Sequence, residues 1–264
     1  MKKSLIALSL LTTTLAVTPN IFAQTGLNSI ISNLSQDKVA QGLKEALDKG
    51  IEKQVSKLTQ KDGFYKNDLV KILLPEEVQK VDQTLRSIGM GNIADQGILL
   101  INRAAEDAVK EATPIFIDAV KNMTFNDAKN ILLNGDSAAT NYLKSSTSKA
   151  LYSKFSPVIQ QSLSSVGADK VWENIFTTYN NLPLVTPVST NLTDYVTNQT
   201  MDGVFKMIAV EENNIRENIG GSRSSNLLQE VFGTQDNAAT SSKNNSTKEK
   251  NTQKKKSIFD LFKK

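Results

Sequence analysis

The 264-residue chain contains no cysteine and no histidine. Without histidine there is no Ser-His-Asp or Cys-His nucleophile system, and no imidazole to shuttle protons near neutral pH. Without either residue, zinc, copper, haem and iron–sulfur centres lose their usual ligands. Disulfide stapling is excluded as well. Chemistry is left to carboxylates, Lys, Tyr, Ser/Thr hydroxyls and hard cations held by oxygen. No cofactor and no metal site is therefore expected. Aromatics are also sparse: sugar clefts usually supply aromatic platforms, and the single tryptophan, Trp172, falls at an apolar helix position. Beyond residue 23 no apolar run is long enough to span a bilayer, because charges such as Arg103, Glu106 and Asp107 interrupt the longest ones.

What is present begins with a leader. Lys2 and Lys3 precede the apolar run Leu5 to Val17, Pro19 breaks it, and Ile21-Phe22-Ala23 supplies a small residue for cleavage. This is the pattern of a secretory signal peptide over residues 1–23, with the cut expected between Ala23 and Gln24. The run of about 13 residues is short for a span of roughly 20. An uncleaved N-terminal anchor is the alternative. With no cysteine at the cut, lipoprotein processing is excluded. A secreted, cysteine-free chain fits a bacterial periplasm.

Charge divides by segment. The chain has 31 basic and 27 acidic residues, a net +4. Eight of the lysines fall in residues 234–264 against Asp236, Glu249 and Asp260, and two more lie in the leader. Residues 24–232 are left with 21 basic and 24 acidic side chains, a net −3. The positive charge belongs to the two ends, so an acidic core in a secreted chain makes nucleic acid an unsuitable partner.

The body reads as all-α, a single multi-helix bundle over residues 24–233. Val39, Leu43, Leu47, Ile51, Val55 and Leu58 mark one helix face, with Ser35 as its N-cap. Gly42 and Gly50 lie inside that helix, which predicts close approach of another backbone. Asp62-Gly63 marks a turn in a connector from Thr59 to Leu74, with Val70-Lys71-Ile72 briefly extended. Pro75-Glu76-Glu77 opens the next helix. Ile93 to Met123 is a long Ala-rich helical pattern that Pro114 should kink or split. Thr124 and Asp127 form a capping box, and Asn134-Gly135-Asp136 reads as a helix stop with a new N-cap. Further helices are expected over Leu151 to Val166, interrupted at Pro157, over Asp169 to Tyr179, over Asn191 to Ile219, and over Ser224 to Phe232. After Gly233 the composition turns to Thr, Ser, Asn, Gln and Lys, which cannot bury enough surface to offset chain entropy, so a disordered basic tail is expected.

Several short blocks carry a resemblance. They include Asp62-Gly63-Phe64, Leu74-Pro75-Glu76, Asn102-Arg103-Ala104-Ala105-Glu106, Phe116-Ile117-Asp118-Ala119-Val120, Gly135-Asp136-Ser137-Ala138-Ala139-Thr140, Asp202-Gly203-Val204-Phe205, and Glu211-Glu212 with Arg216. In this order the chain resembles a secreted bacterial family known as domain-of-unknown-function family 4197. The resemblance implies a helical periplasmic domain and no assigned activity.

Two polar sets stand out within the helices. Asn102 and Glu106 share a face, and Arg103 reaches Glu106 or Asp107. They are the candidate ligand-binding residues of a groove beside the Ala-rich helix, or else a structural salt bridge. Glu211, Glu212 and Arg216 form a second set, with Glu212 and Arg216 placed to pair. No catalytic residue is assigned. A carboxylate-dependent envelope hydrolase, for example a glycan-cleaving one, would need Glu106 and a partner such as Asp118 or Glu211 to face one cleft. The tail ends in Lys254-Lys255-Lys256, then Ile258, Phe259, Leu261 and Phe262, then Lys263 and Lys264. Such an end suits an anionic membrane surface or a partner's groove, and a solvated tail without a target is the plain alternative. The leading reading is a non-enzymatic binding or interaction protein of the envelope, its partner an envelope protein or a lipid-like ligand.

Overall fold

The computed structural model describes residues 35–75, 79, 82, 83, 86, 87, 91–181, 187 and 191–233. Among these residues there is no strand, and the helices pack together as one bundle. The leader, the cut after Ala23, Glu76 and Glu77 at the expected helix start and the whole tail, with its apolar and Lys positions from 254 to 264, lie outside the described residues.

Helix α1, Gln36–Leu58, starts where the Ser35 hydroxyl accepts from the Lys38 amide at 3.3 Å. Its predicted face is buried from Val39 to Leu58. Gly42 is needed because a Cβ there would stand 2.6 Å from Val231 Cγ2. Val231 lies on the last helical stretch, 226–233, which docks on α1 at this point. A connector follows, and then α2, Gly91–Ala108. The Ala-rich pattern does split. Residues Val109–Glu111 tighten into a 3₁₀ turn before α3, Ala112–Lys121. Pro114 offers no donor to the carbonyl of Lys110 and crowds it, so the helix breaks one turn upstream and Pro114 sits in the tolerant first turn of α3.

Helix α4, Phe125–Leu133, opens on the predicted capping box, with Thr124 and Asp127 bonded in both directions. The chain then turns through Gly135 at φ +74°. Two expectations are corrected here. The residue before α5 is Ser137 rather than Asp136, and it makes no side-chain cap bond. Also, α5 runs unbroken from Ala138 to Ser165, with Pro157 inside it. Pro157 and Ser153, the residue whose carbonyl loses its donor, are both exposed, so water can take that bond. Gly167 at φ +67° separates α5 from α6, Ala168–Asn180. Helix α7, Leu192–Arg216, starts at Asn191, whose side chain accepts from the Asp194 amide at 2.9 Å.

α5 and α7 form the central pair, α2 packs on both, and α1 joins α7 to α3 and α4. Ala104, Ala105, Ala108 and Ala112 are fully buried, so small side chains set the close approach of α2 to its neighbours. Trp172 of α6 covers Gly97 of α2, where a Cβ would stand 2.5 Å from the indole.

Candidate functional site

The connector between α1 and the next helix is a strap laid across α2 and α7. Residues 60–71 form successive turns, with Gly63 N–H donating to the Gln60 carbonyl and Lys66 N–H to that of Asp62. Asp62 adopts φ +72°, and Gly63 passes so close to α1 that a Cβ would stand 2.5 Å from the Leu58 carbonyl. The predicted Asp62-Gly63 turn is therefore present. Of the predicted extension at Val70-Lys71-Ile72, Val70 instead lies in a turn, while Lys71 and Ile72 are in neither helix nor strand. The Val70 and Lys71 amides both donate to the Asn67 carbonyl, which closes the turn at Val70, and residues 71–75 are irregular.

Asn102, Arg103 and Glu106 meet this strap. Asn102 is fully buried. Its Oδ1 accepts from the Ile72 amide at 2.8 Å, and its Nδ2 donates to the Ile72 carbonyl at 2.8 Å and to the Ile98 carbonyl at 2.7 Å. One amide side chain thus replaces a strand neighbour for Ile72. Glu106 is buried as well. Its Oε1 accepts from the Phe64 and Tyr65 amides at 3.1 and 3.4 Å, and its Oε2 accepts from Arg103 at 2.6 Å. Arg103 reaches on to Asp62, which also pairs with Lys66 at 2.8 Å. Hydrogen bonds from Lys66 and then Arg103 hold the Asp62 carboxyl below the usual carboxylate range. The hydrogen bond to Glu106 pushes the Arg103 guanidinium up. From α7, Tyr195 donates to the Leu73 carbonyl at 2.8 Å and Lys206 to that of Leu69 at 3.2 Å.

The second polar set is a helix cap supplied from a distance. Glu212 of α7 accepts from the Ala139 amide at 3.0 Å and from the Thr140 amide and hydroxyl at 2.9 and 2.8 Å. These are the first-turn donors that Ser137 leaves unmet. Arg216 donates to Glu212 at 2.9 Å and to the Ile131 carbonyl, at the end of α4, at 2.8 Å. Glu211 points elsewhere, to Lys53 at 2.7 Å and Gln54 at 2.9 Å on α1. Glu106 and Glu211 thus have separate internal partners, and Asp118 stands on the outer surface between α3 and α5. Gln54 and Arg223 do not stand out along the sequence. Arg223 is buried and donates to the carbonyls of Ile215 and Arg216, closing the C-terminus of α7. A basic residue just past a helix end is the signal that marks such a role.

Three hollows lie around these sets. One, lined by Leu43, Leu47, Ala139, Ile208, Glu212 and Phe232 among others, measures about 30 Å³. A single water needs roughly 10–15 Å³, so this void is far too small for a lipid chain. An open cleft of about 450 Å³ lies over the strap at Lys57, Lys61, Asp62 and Lys66. A groove of about 560 Å³ runs between α3 and α5. Asn102, Arg103 and Glu106 line none of the three. Among the described residues there is no group of three or more Asp/Glu that could hold a metal ion. No described helix is long and apolar enough to cross a membrane.

The two clamps join the same short blocks of sequence that stood out along the chain. Asp62-Gly63-Phe64 meets Arg103 and Glu106, and Ala139-Thr140 meets Glu212 and Arg216. A family model described as "Protein of unknown function (DUF4197)" matches residues 33–233. The chain belongs to that family. The match ends at Gly233, so this DUF4197 domain spans all the described helices, and residues 234–264 lie beyond it. Comparison with curated proteins and with solved structures finds no match. Within the domain, Gly203 of the Asp202-Gly203-Val204-Phe205 block lies under the Phe64 ring, where a Cβ would stand 2.8 Å from Cε1.

Proposed function

We propose that this protein is a non-enzymatic interaction protein of the bacterial envelope. It is exported by the leader, cut after Ala23, and binds through its outer surface and its basic C-terminal end. One observation carries the reading. The polar residues that would serve an interior site are taken up by the fold itself. Asn102 has three backbone partners, Glu106 and Glu212 each hold two backbone amides and an arginine, and Glu211 is bonded to Lys53 and Gln54. A carboxylate so engaged is a poor general acid or nucleophile, since its lone pairs are already committed. The −3 of residues 24–232 against the lysines of residues 234–264 leaves the tail as the part suited to an anionic bilayer.

Sedimentation with vesicles rich in an anionic phospholipid tests this. The full chain should pellet at low salt and stay in solution at about 0.5 M salt, where charges are screened beyond a few ångströms. A chain lacking residues 234–264 should stay in solution under both conditions. Equal pelleting of the two chains would overturn the assignment of the tail.

A further inference from the structure

We propose that residues 258–264 seat in the groove between α3 and α5 of their own chain. Apolar side chains line the groove from both helices: Ile115 and Ala119 from α3, Tyr142 and Ala150 from α5. Its far end carries Glu111 and Lys154, and Asp118 stands midway along the α3 side. Residues 258–264 carry the matching features. In a helical turn Ile258, Phe259, Leu261 and Phe262 fall on one side, at the spacing with which helices enter apolar grooves. Lys263 and Lys264 then meet Glu111, Asp260 meets Lys154, and Lys254 to Lys256 pass Asp118.

The point of departure of the chain favours this occupant. Phe232 and Ala139 border the same 30 Å³ void. Tyr142, at the near end of the groove, is one turn along α5 from Ala139. The chain thus leaves the domain from the side of α5 on which its first turn lies. The groove from Glu111 to Asn122 is about 17 Å long at 1.5 Å per residue. Residues 234–257 span up to about 80 Å when extended, so they reach its whole length. A covalent link of sufficient reach also raises the local concentration of its end to the millimolar range. The inference goes beyond the preceding reading: without lipid the end rests in the groove, and a bilayer would compete with the groove for it, so the test contains no lipid.

The absence of native cysteine makes disulfide trapping a clean test. Ser146 lines the groove and is exposed, and Asn130 is exposed on α4, outside it. The full chain carrying Ser257→Cys with Ser146→Cys should close an intramolecular disulfide at least tenfold faster than one carrying Ser257→Cys with Asn130→Cys. Adding Phe259→Ser and Leu261→Ser to the first pair should bring its rate down to that of the second. Equal rates for the two pairs, which would leave the groove to residues 24–34 or to another protein, overturn the proposal. So does a groove rate that the two Ser substitutions leave unchanged. Disulfide-linked dimers in place of the intramolecular product overturn it in favour of a second copy.

Discussion

The strap clamp and the α5 cap are built from the same parts and hold different things. In each, a buried glutamate accepts backbone amides and is paired with an arginine three or four residues along its own helix. Glu106 and Arg103 fix a turn-rich connector at the rim of the domain, and Arg103 keeps about 29% of its side-chain surface, so water shares its charge. Glu212 and Arg216 are some 95% buried and tie the start of α5 to the end of α4. Loss of a partner should follow that difference. At the rim a freed group rehydrates. In the interior it stays uncompensated.

The largest effect is expected from Glu212→Ala. It leaves the Arg216 charge and two first-turn amides of α5 unmet, a loss of about 3–5 kcal/mol in chemical denaturation. Asn102→Ala should cost less, about 2–3 kcal/mol for the unpaired Ile72 amide and carbonyl. Its signature should be local. Exchange of the Ile72 amide and proteolysis within residues 60–75 should quicken more than tenfold, with a smaller fall in Tm than Glu212→Ala gives. Equal falls in Tm would break the contrast between the strap clamp and the α5 cap. Gly203→Ala sharpens it further, since the methyl presses Phe64 off α7 from beneath the strap. We expect about 1–2 kcal/mol, because overpacking outweighs the gain in helix propensity.

The smallest effect is a pH dependence. The Asp62 carboxyl sits below its ordinary value in the folded chain. Its ion pairs therefore stabilise the fold fully above the unfolded value of roughly 3.9. That contribution fades as pH falls toward the lower folded value. The difference in urea midpoint between the natural chain and Asp62→Asn should shrink between pH 6 and pH 2.5. A constant difference would show that Asp62 acts only through its left-handed backbone.

The periodic helices were legible because apolar spacing repeats locally: the face from Val39 to Leu58, the Thr124–Asp127 box and the Ser35 cap all appear as read. Pro114 also marked the break between α2 and α3. Pro157 misled: it and Ser153 are exposed just as Pro114 and Lys110 are, yet α5 continues through it, so exposure alone does not tell the two prolines apart. The candidate set at Asn102, Arg103 and Glu106 was legible as polar residues on an apolar helix, but its partners were not. Ile72 lies 30 residues away, Phe64 lies 42 away, and Glu212 reaches Ala139 across 73. No local pattern encodes a bond between a side chain and a backbone amide of no particular residue type.

The sequence by itself determined an all-helical chain without thiol, imidazole or their metals, an acidic body between basic ends, and membership of its family. These follow from composition and from periodicities that each segment carries alone. Only the tertiary structure decided that the prominent carboxylates are clamps, that the hollow beside Leu43 and Phe232 is too small for a lipid chain, and that a groove lies open between α3 and α5. Those depend on which helix meets which. That choice is set by side-chain volumes such as the alanines of α2 and the glycines under Val231, Trp172 and Phe64, summed over the whole core.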